Sequence, residues 1–178
     1  MALIDLMPEK NTYISAYYPD DNFAASPDKA LFAGRYQHDG DAYRTLLQFD
    51  LREISEKGLK TGNIDIIFLQ LFLAQNRIPS GAIRVRLCRL LEPWEDRYVT
   101  WNTQPRGDYG QEIIIPAGYT GLVIMEVTSL VKEWLSGSVP NYGLGVNGDE
   151  QNNRLLAFHS TAHPDPGTWP RLIMQMDN

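Results

Sequence analysis

The sequence is short of several features that would point to particular classes of protein. Its single cysteine, Cys88, has no partner for an internal disulfide bond, so the fold does not depend on an oxidising compartment. Basic residues number 16 against 22 acidic ones, and a net charge of -6 would repel a polyanionic backbone, so no nucleic-acid partner is expected. No stretch approaches the roughly 20 consecutive apolar residues that a membrane span needs.

The opening residues, MALIDLMPEK, do not have the pattern of a signal peptide. They lack a basic start, and Asp5 and Pro8 interrupt the apolar residues. We therefore expect a chain that is synthesised in the cytosol without such a leader, which does not exclude later release or display at a surface.

Alternating apolar and polar residues predict an all-β fold. In YRTLLQFDL (residues 43–51) and IRVRLCRLL (residues 83–91), the apolar residues fall mainly on one face, as in half-buried strands. IDIIFLQLFLA (residues 64–74) is apolar on both faces, which predicts a central strand with one side against a loop or a partner. Shorter runs bring the total to about ten strands, as expected of a sandwich of two antiparallel sheets. With 178 residues, of which 43% are hydrophobic, we predict a single domain over residues 1–178.

One segment follows a helical pattern instead. In VTSLVKEWLSG (residues 127–137), the apolar side chains share one face of a helix. Thr128 or Ser129 is placed to cap its start, and Gly137 is placed to end it. We predict one short helix near residues 129–136, covering an end of the sandwich.

The sequence offers little that suggests catalysis. It has no GxSxG motif, and Glu95 and Asp96 are adjacent, so they cannot flank a substrate at the separation of about 5 Å or more that glycosidase carboxylates need. GLGVNG (residues 143–148) has the glycine spacing of a dinucleotide site, but its surroundings lack the required strand and helix. We therefore predict a protein that is not an enzyme and has no cofactor, calcium apart.

Two acidic loops could hold calcium, which prefers several oxygen ligands from one loop. The first contains Asp39 and Asp41, and the second contains Asn147, Asp149 and Glu150. Acidic turn residues are more often simply solvated, so calcium is the minority interpretation at both loops. With three histidines and one cysteine in the chain, we do not expect a transition-metal site.

The segment PWEDRYVTWNTQP (residues 93–105) allows three interpretations: a sugar-stacking platform, a pair of catalytic carboxylates or a structural corner. Its prolines exclude a helix, and YVTW favours a strand. We predict a strand, a turn at Glu95 to Arg97, and then a second strand or an extended corner. Trp94 and Trp101 would then lie on different elements.

Four segments occur in the order and approximate spacing of a known family. They are YRTLLQFDL, then WEDRYVTWNTQP, then VTSLVKEWLSGSVPNYGLGV, and finally FHST with WPRLIMQM. In these motifs the chain resembles the DNRLRE domain family, from about residue 11 to residue 176. Its members are β-sandwich modules of prokaryotic surface and secreted proteins, related to carbohydrate-binding jelly rolls, and some bind polysaccharides such as alginate.

The resemblance implies a jelly-roll β-sandwich without catalytic residues. It also implies that large rings fill the ends of the sandwich as scaffold, with sugar stacking by these rings as the minority interpretation. The predicted core residues are Phe49, Trp94, Trp101, Trp134 and Tyr142. A ligand face is expected on other aromatic side chains, near the N-terminus, in the loops and before the last strand. These ligand candidates are Tyr17, Tyr18, Phe23, Tyr109, Tyr119 and Trp169.

Two classes of function stay open. The first is a non-catalytic, surface-associated module that binds polysaccharide or mediates adhesion at a cell or spore surface. The second is a self-assembling structural subunit of a filament, spore coat or phage-like particle, whose partners would be further copies of the chain. The apolar residues 1–10 bear on this choice, since they could pair within their own sandwich or be exchanged with a neighbouring subunit of a homo-oligomer.

Overall fold

The computed structural model describes residues 2–77 and 80–177 of the chain. Within these residues lie eleven strands, two α-helices and two 3₁₀ turns. The strands are β1 (Leu3–Leu6), β2 (Lys10–Ser15), β3 (Ala30–Arg35), β4 (Ala42–Gln48), β5 (Ile64–Asn76), β6 (Ala82–Leu90), β7 (Gly107–Pro116), β8 (Gly121–Glu126), β9 (Leu144–Asn147), β10 (Leu156–His159) and β11 (Arg171–Met176). The helices are α1 (Arg52–Glu56) and α2 (Thr128–Ser136), and the 3₁₀ turns are Thr61–Asn63 and Pro166–Thr168. The predicted all-β class is confirmed.

The strands join edge to edge in one curled antiparallel sheet. The order along the hydrogen-bonded path is β1-β11-β5-β10-β3-β4-β9-β6-β7, while β2 pairs with β4 and β8 pairs with β5. β3 links the two halves of this path, because its residues 30–33 pair with β10 and its residues 34–35 pair with β4. At the switch, Gly34 has a φ of 108°, and a β-carbon there would overlap the Arg154 carbonyl oxygen. The predicted division into the two separate sheets of a jelly roll stays a prediction.

The inner faces of the strands enclose the main hydrophobic core. Ile67, Leu69, Leu71 and Leu73 alternate along β5 and are fully buried. Burial of each such side chain stabilises the fold by roughly 1.5–3 kcal/mol. The opposite face of β5 carries partly exposed aromatic side chains such as Phe72. This strand, which was predicted to be central, pairs with β8, β10 and β11.

The helix that was predicted near residues 129–136 is α2. Gly137 ends it in the left-handed conformation, with a φ of 74°, as predicted. The predicted side-chain cap is wrong, because the Thr128 hydroxyl accepts the Ile67 backbone N–H at 2.9 Å instead. That bond ties the start of α2 to β5.

The second helix, α1, was not predicted. It has five residues and buries only Ile54. An element of little more than one turn is too short to show a helical period in the sequence.

Residues 93–105 form two turns, at residues 96–98 and 101–103, rather than the predicted strands. The backbone N–H of Val99 donates to the Glu95 carbonyl oxygen at 2.9 Å. Trp94 and Trp101 therefore lie in one loop and not on different elements, and both pack on a small hydrophobic cluster with residues of β2, β4 and β6. This tertiary packing overrides the strand propensity of the segment, and the result is a structural corner.

β1 pairs with β11 of the same chain along its four residues. Leu6 is buried, and the Asp5 carboxylate forms an ion pair with Arg171 at 2.5 Å. In this structure, residues 3–6 thus extend their own sheet, while exchange of this strand between subunits stays a prediction. Neither helix in the described part of the chain is long and apolar enough to cross a membrane.

Candidate functional site

A groove of about 570 Å³ opens over β3 and β10, beside the loop that joins β2 to β3. Its depth comes from small side chains at Ala30, Ala74 and Ala157. Six aromatic side chains also line it: Tyr13, Tyr18, Phe23, Phe32, Tyr36 and Tyr43. We call this feature the aromatic groove.

The floor of the aromatic groove is built by three strands. Phe32 on β3 lies opposite Ala157 on β10, so the register of this strand pair leaves open space beside the phenyl ring. The ring of Tyr13, on β2, meets Phe32 edge to face with centroids 4.9 Å apart, and Tyr43, on β4, lies 5.8 Å from Phe32. These contacts hold the three rings in fixed orientations.

The β2–β3 loop supplies one wall. Phe23 stacks on Tyr13 with centroids 4.6 Å apart, and Tyr18 lies 6.5 Å from Phe23. The Tyr18 side chain is 49% exposed, so much of its ring remains free for a ligand. At the base of this wall the Phe23 ring is packed against Tyr13, and at its rim the Tyr18 ring is open to solvent.

The two phenols at the base of the groove are held in their protonated forms. Burial, and then the hydrogen bond from the Tyr13 hydroxyl to the Asp28 carboxylate at 2.6 Å, raise the pKa of Tyr13 well above its ordinary range. Burial and the charge of Asp41 raise the pKa of Tyr43 to about 12. Near neutral pH both groups are neutral hydroxyls, and that of Tyr13 donates its one proton to Asp28.

The other side of the groove is polar. Gln75, Arg77 and Lys29 line it, and the Arg77 guanidinium lies 5.3 Å from the centre of the Tyr36 ring. Amide, guanidinium and ammonium groups provide hydrogen-bond donors beside the aromatic rings. The aromatic groove therefore offers both apolar surface and polar groups to one ligand.

His159 and His163 complete the polar side. The Thr168 hydroxyl donates to the Asp165 carbonyl oxygen at 2.9 Å, so it accepts from His159 Nδ1 at 2.7 Å. Burial, and then the neighbouring His163 ring, lower the pKa of His159. His159 is thus neutral at pH 7, and the Thr168 hydrogen bond orients its ring.

A groove with flat rings and peripheral donors suits a sugar, whose C–H faces stack on aromatic rings while its hydroxyls form hydrogen bonds. The sequence profile of carbohydrate-binding module family 96 matches residues 2–175. The chain belongs to this family. No protein with a curated description matches the chain.

In this family 96 module, the predicted ligand residues lie in different places. Tyr18 and Phe23 line the aromatic groove, and Tyr17 contacts Tyr18 edge to face with centroids 4.9 Å apart. Tyr109 lines a separate cleft beside α2.

The last two predicted ligand residues each donate a hydrogen bond to a backbone carbonyl oxygen. The Tyr119 hydroxyl donates to the Leu122 carbonyl oxygen at 2.6 Å. The partly buried Trp169 donates from Nε1 to the His163 carbonyl oxygen at 2.7 Å.

Four of the six rings in the groove were not among the predicted ligand residues. Tyr43 belongs to a strand whose alternation placed it on the core face, and Tyr13 and Phe32 look like ordinary strand residues. Tyr36 follows β3 directly. Tyr36 and Tyr43 lie near strand ends, whereas Tyr13 and Phe32 lie within β2 and β3, and the sequence does not show which of these strands lie side by side.

The predicted core residues of the family 96 module lie in its hydrophobic clusters, as expected of structural side chains. Phe49, Trp94 and Trp134 are buried, while Trp101 and Tyr142 are partly buried against the small cluster. Cations cover the faces of two of the tryptophans. Lys10 Nζ lies 5.6 Å from the Trp94 ring, and the Arg44 guanidinium lies 4.5 Å from the Trp101 ring.

The carboxylates of the two acidic loops are engaged with protein donors. Asp39 contacts Arg35, and Asp41 accepts the Gln37 backbone N–H at 3.2 Å. In the second loop, Asp149 accepts the Gln151 backbone N–H at 2.9 Å, and Glu150 binds Arg44 through both oxygens at 2.7 and 3.0 Å. Within residues 2–77 and 80–177, no three His, Cys, Asp or Glu side chains are grouped as metal ligands. Calcium binding stays a prediction.

Proposed function

We propose that this chain is a non-catalytic carbohydrate-binding module that holds part of a polysaccharide in the aromatic groove. The observation that carries the proposal is the convergence of six aromatic side chains with Gln75, Arg77 and Lys29 around one open groove. Membership of a carbohydrate-binding module family supports the same ligand class. The two-sheet jelly roll, membership of the DNRLRE domain family and display at a cell or spore surface are parts of this proposal.

Tyr18 provides the sharpest test, because it is the most exposed ring of the groove. We expect Tyr18→Ala to weaken polysaccharide binding by roughly three- to tenfold, since an aromatic contact is worth about 0.5–1.5 kcal/mol. Phe23→Ala should have a similar effect by removing the wall behind it. Affinity electrophoresis in native gels that contain soluble cellulose derivatives, xylan or polygalacturonate measures the change.

Tyr98→Ala is the matched control, since Tyr98 is 77% exposed and lies outside the groove. It should migrate as the wild-type chain does in every gel. Equal losses in the Tyr18 and Tyr98 variants, or no retention of the wild-type chain by any polysaccharide, would contradict the proposal.

Self-assembly is the second candidate function, and it is favoured by the position of β1. This strand lies at one end of the strand order, and its Leu3 side chain is 59% exposed. Light scattering and negative-stain imaging of the full chain and of a chain that starts at Pro8 test it. If the full chain forms filaments or closed particles and the shortened chain does not, the result would support assembly through residues 1–7. If both chains are monomeric, the result would oppose it.

A further inference from the structure

Lys29 has an unusual backbone conformation. Within residues 2–77 and 80–177 it is the only residue other than glycine with a positive φ, at 53°. The left-handed region crowds the β-carbon of an L-residue, so glycine, or asparagine, is usual there. The sequence therefore places a lysine at a position where a glycine would relieve strain.

The corner around Lys29 is held on both sides. Before it, the Asp28 carboxylate accepts the Tyr13 hydroxyl at 2.6 Å and the Ser26 hydroxyl at 2.5 Å. After it, the Lys29 carbonyl oxygen accepts the Ser160 backbone N–H at 3.2 Å, and Ala30 begins β3. The surrounding structure thus determines the conformation, as is common where strain is kept at a functional site.

The Lys29 side chain is exposed and lines the aromatic groove. Within the described residues its ammonium forms neither a salt bridge nor a hydrogen bond, whereas Lys10 and Lys57 pair with Glu95 and Glu53. An ammonium group has three donors and no acceptor. All three donors of Lys29 are therefore available to a ligand.

We propose that Lys29 is a ligand-binding residue of the aromatic groove, where its ammonium donates to an acceptor oxygen of the bound glycan. The strained backbone is retained because this corner directs the ammonium to the polar side of the groove. The inference rests on the proposed carbohydrate-binding function. The acceptor is either a hydroxyl or a carboxylate oxygen of the sugar.

The experiment compares Lys29→Asn, Lys29→Gly and Lys29→Arg with the wild-type chain in the same polysaccharide gels, with melting temperatures measured in parallel. Asparagine and glycine both accept a positive φ, so these two variants should melt no lower than the wild type. We expect both to lose affinity by about fivefold or more, since one charge-assisted hydrogen bond contributes that much or more. Lys29→Arg should retain most of the binding because it keeps a cationic donor.

Lys60→Asn is the control, because Lys60 is exposed, lies outside the groove and has an ordinary φ of -88°. It should leave binding unchanged. If salt weakens the binding of the wild-type chain to polygalacturonate but does not weaken that of Lys29→Asn, the acceptor is a carboxylate. If Lys29→Asn binds a neutral polysaccharide more weakly than the wild type does, and salt does not change this difference, the acceptor is a hydroxyl.

Three results overturn the inference. If Lys29→Asn binds as the wild type does while Tyr18→Ala binds weakly, Lys29 is no ligand residue and the proposed function stands. If Lys29→Gly loses binding and also melts at a clearly lower temperature, Lys29 has a folding role. If no polysaccharide retains the wild-type chain, the proposed function and the role of Lys29 fall together.

Discussion

The imidazole rings of His159 and His163 stack face to face, with centroids 3.6 Å apart and planes inclined by 11°. The chain brings them together through a turn after β10, in which the His163 N–H donates to the Ser160 carbonyl oxygen at 3.1 Å. Phe72 stacks on the other side of His159, with centroids 4.9 Å apart. In stacked rings the in-plane lone pairs of the nitrogens do not converge on one ion. The pair instead forms part of the polar side of the aromatic groove.

The histidine pair predicts loss of stability in mild acid. The pKa of His159 is lowered in the folded state, so below its ordinary value of about 6.5 the unfolded chain binds more protons than the folded chain. Its contribution to stability is therefore complete above that pH and is lost as the pH falls through the lowered pKa. We expect the melting temperature to decrease between neutral pH and pH of about 5, before most carboxylates titrate.

His163→Phe tests the cause of this decrease. A phenyl ring keeps the stacking on His159 and removes the His163 interaction that lowers the pKa of His159. The melting temperature of this variant should depend less on pH over the same interval. The same slope in both chains would show that His163 does not lower the pKa of His159.

Gly34→Ala should destabilise the fold strongly, because β3 changes partners there. The substitution forces a β-carbon onto the Arg154 carbonyl oxygen at a φ of 108°. We expect the free energy of unfolding in urea to fall by about 2–4 kcal/mol. Gly62→Ala is the control, since Gly62 has no positive φ and nothing within 4 Å of an added β-carbon. Similar losses in the two variants would remove the special role of Gly34.

Trp94 should contribute to stability through both its ring and its N–H group. Trp94 is buried, and its Nε1 donates to the Tyr142 carbonyl oxygen at 2.8 Å. Trp94→Ala should lower the free energy of unfolding by about 3–5 kcal/mol, because it leaves a cavity in the small cluster. Trp94→Phe should cost about 1–3 kcal/mol, since the Tyr142 carbonyl oxygen loses its partner.

Tyr98→Ala provides the comparison for these two variants, because it lies in the same loop and its side chain faces solvent. Its free energy of unfolding should change by less than about 0.5 kcal/mol. Guanidinium unfolding curves for the three variants measure the effects. A Trp94→Ala variant as stable as Tyr98→Ala would contradict the structural role of the tryptophan.

Calcium should have little effect on stability. In the second acidic loop, Arg44 binds both oxygens of Glu150, and backbone N–H groups bind Asp149. A cation would have to displace these donors before it could bind. We expect the same melting temperature with millimolar calcium and with a chelator. A rise that grows with calcium concentration would show binding to the folded chain, and would support the calcium interpretation of the acidic loops.

Local sequence patterns predicted the parts of the fold that depend on neighbouring residues. The alternation in residues 43–51 and 83–91 predicted β4 and β6, because adjacent side chains of a strand point to opposite faces. Gly137 marked the end of α2, because glycine accepts the left-handed conformation without strain. The strand propensity of residues 93–105 was misleading, since Trp94 and Trp101 lie in a loop and pack on the small cluster, a contact that local propensity does not reveal.

The sequence by itself determined the all-β class, the position of α2 and the lack of an internal disulfide bond, because each depends on composition or on residues close together in the chain. Only the tertiary structure decided where the candidate site lies. Phe32 faces Ala157, and Tyr13 contacts Phe23, because β3 pairs with β10 and the β2–β3 loop folds over them. The pairing of Phe32 with Ala157 joins residues more than a hundred positions apart, and its register depends on the packing of the whole core.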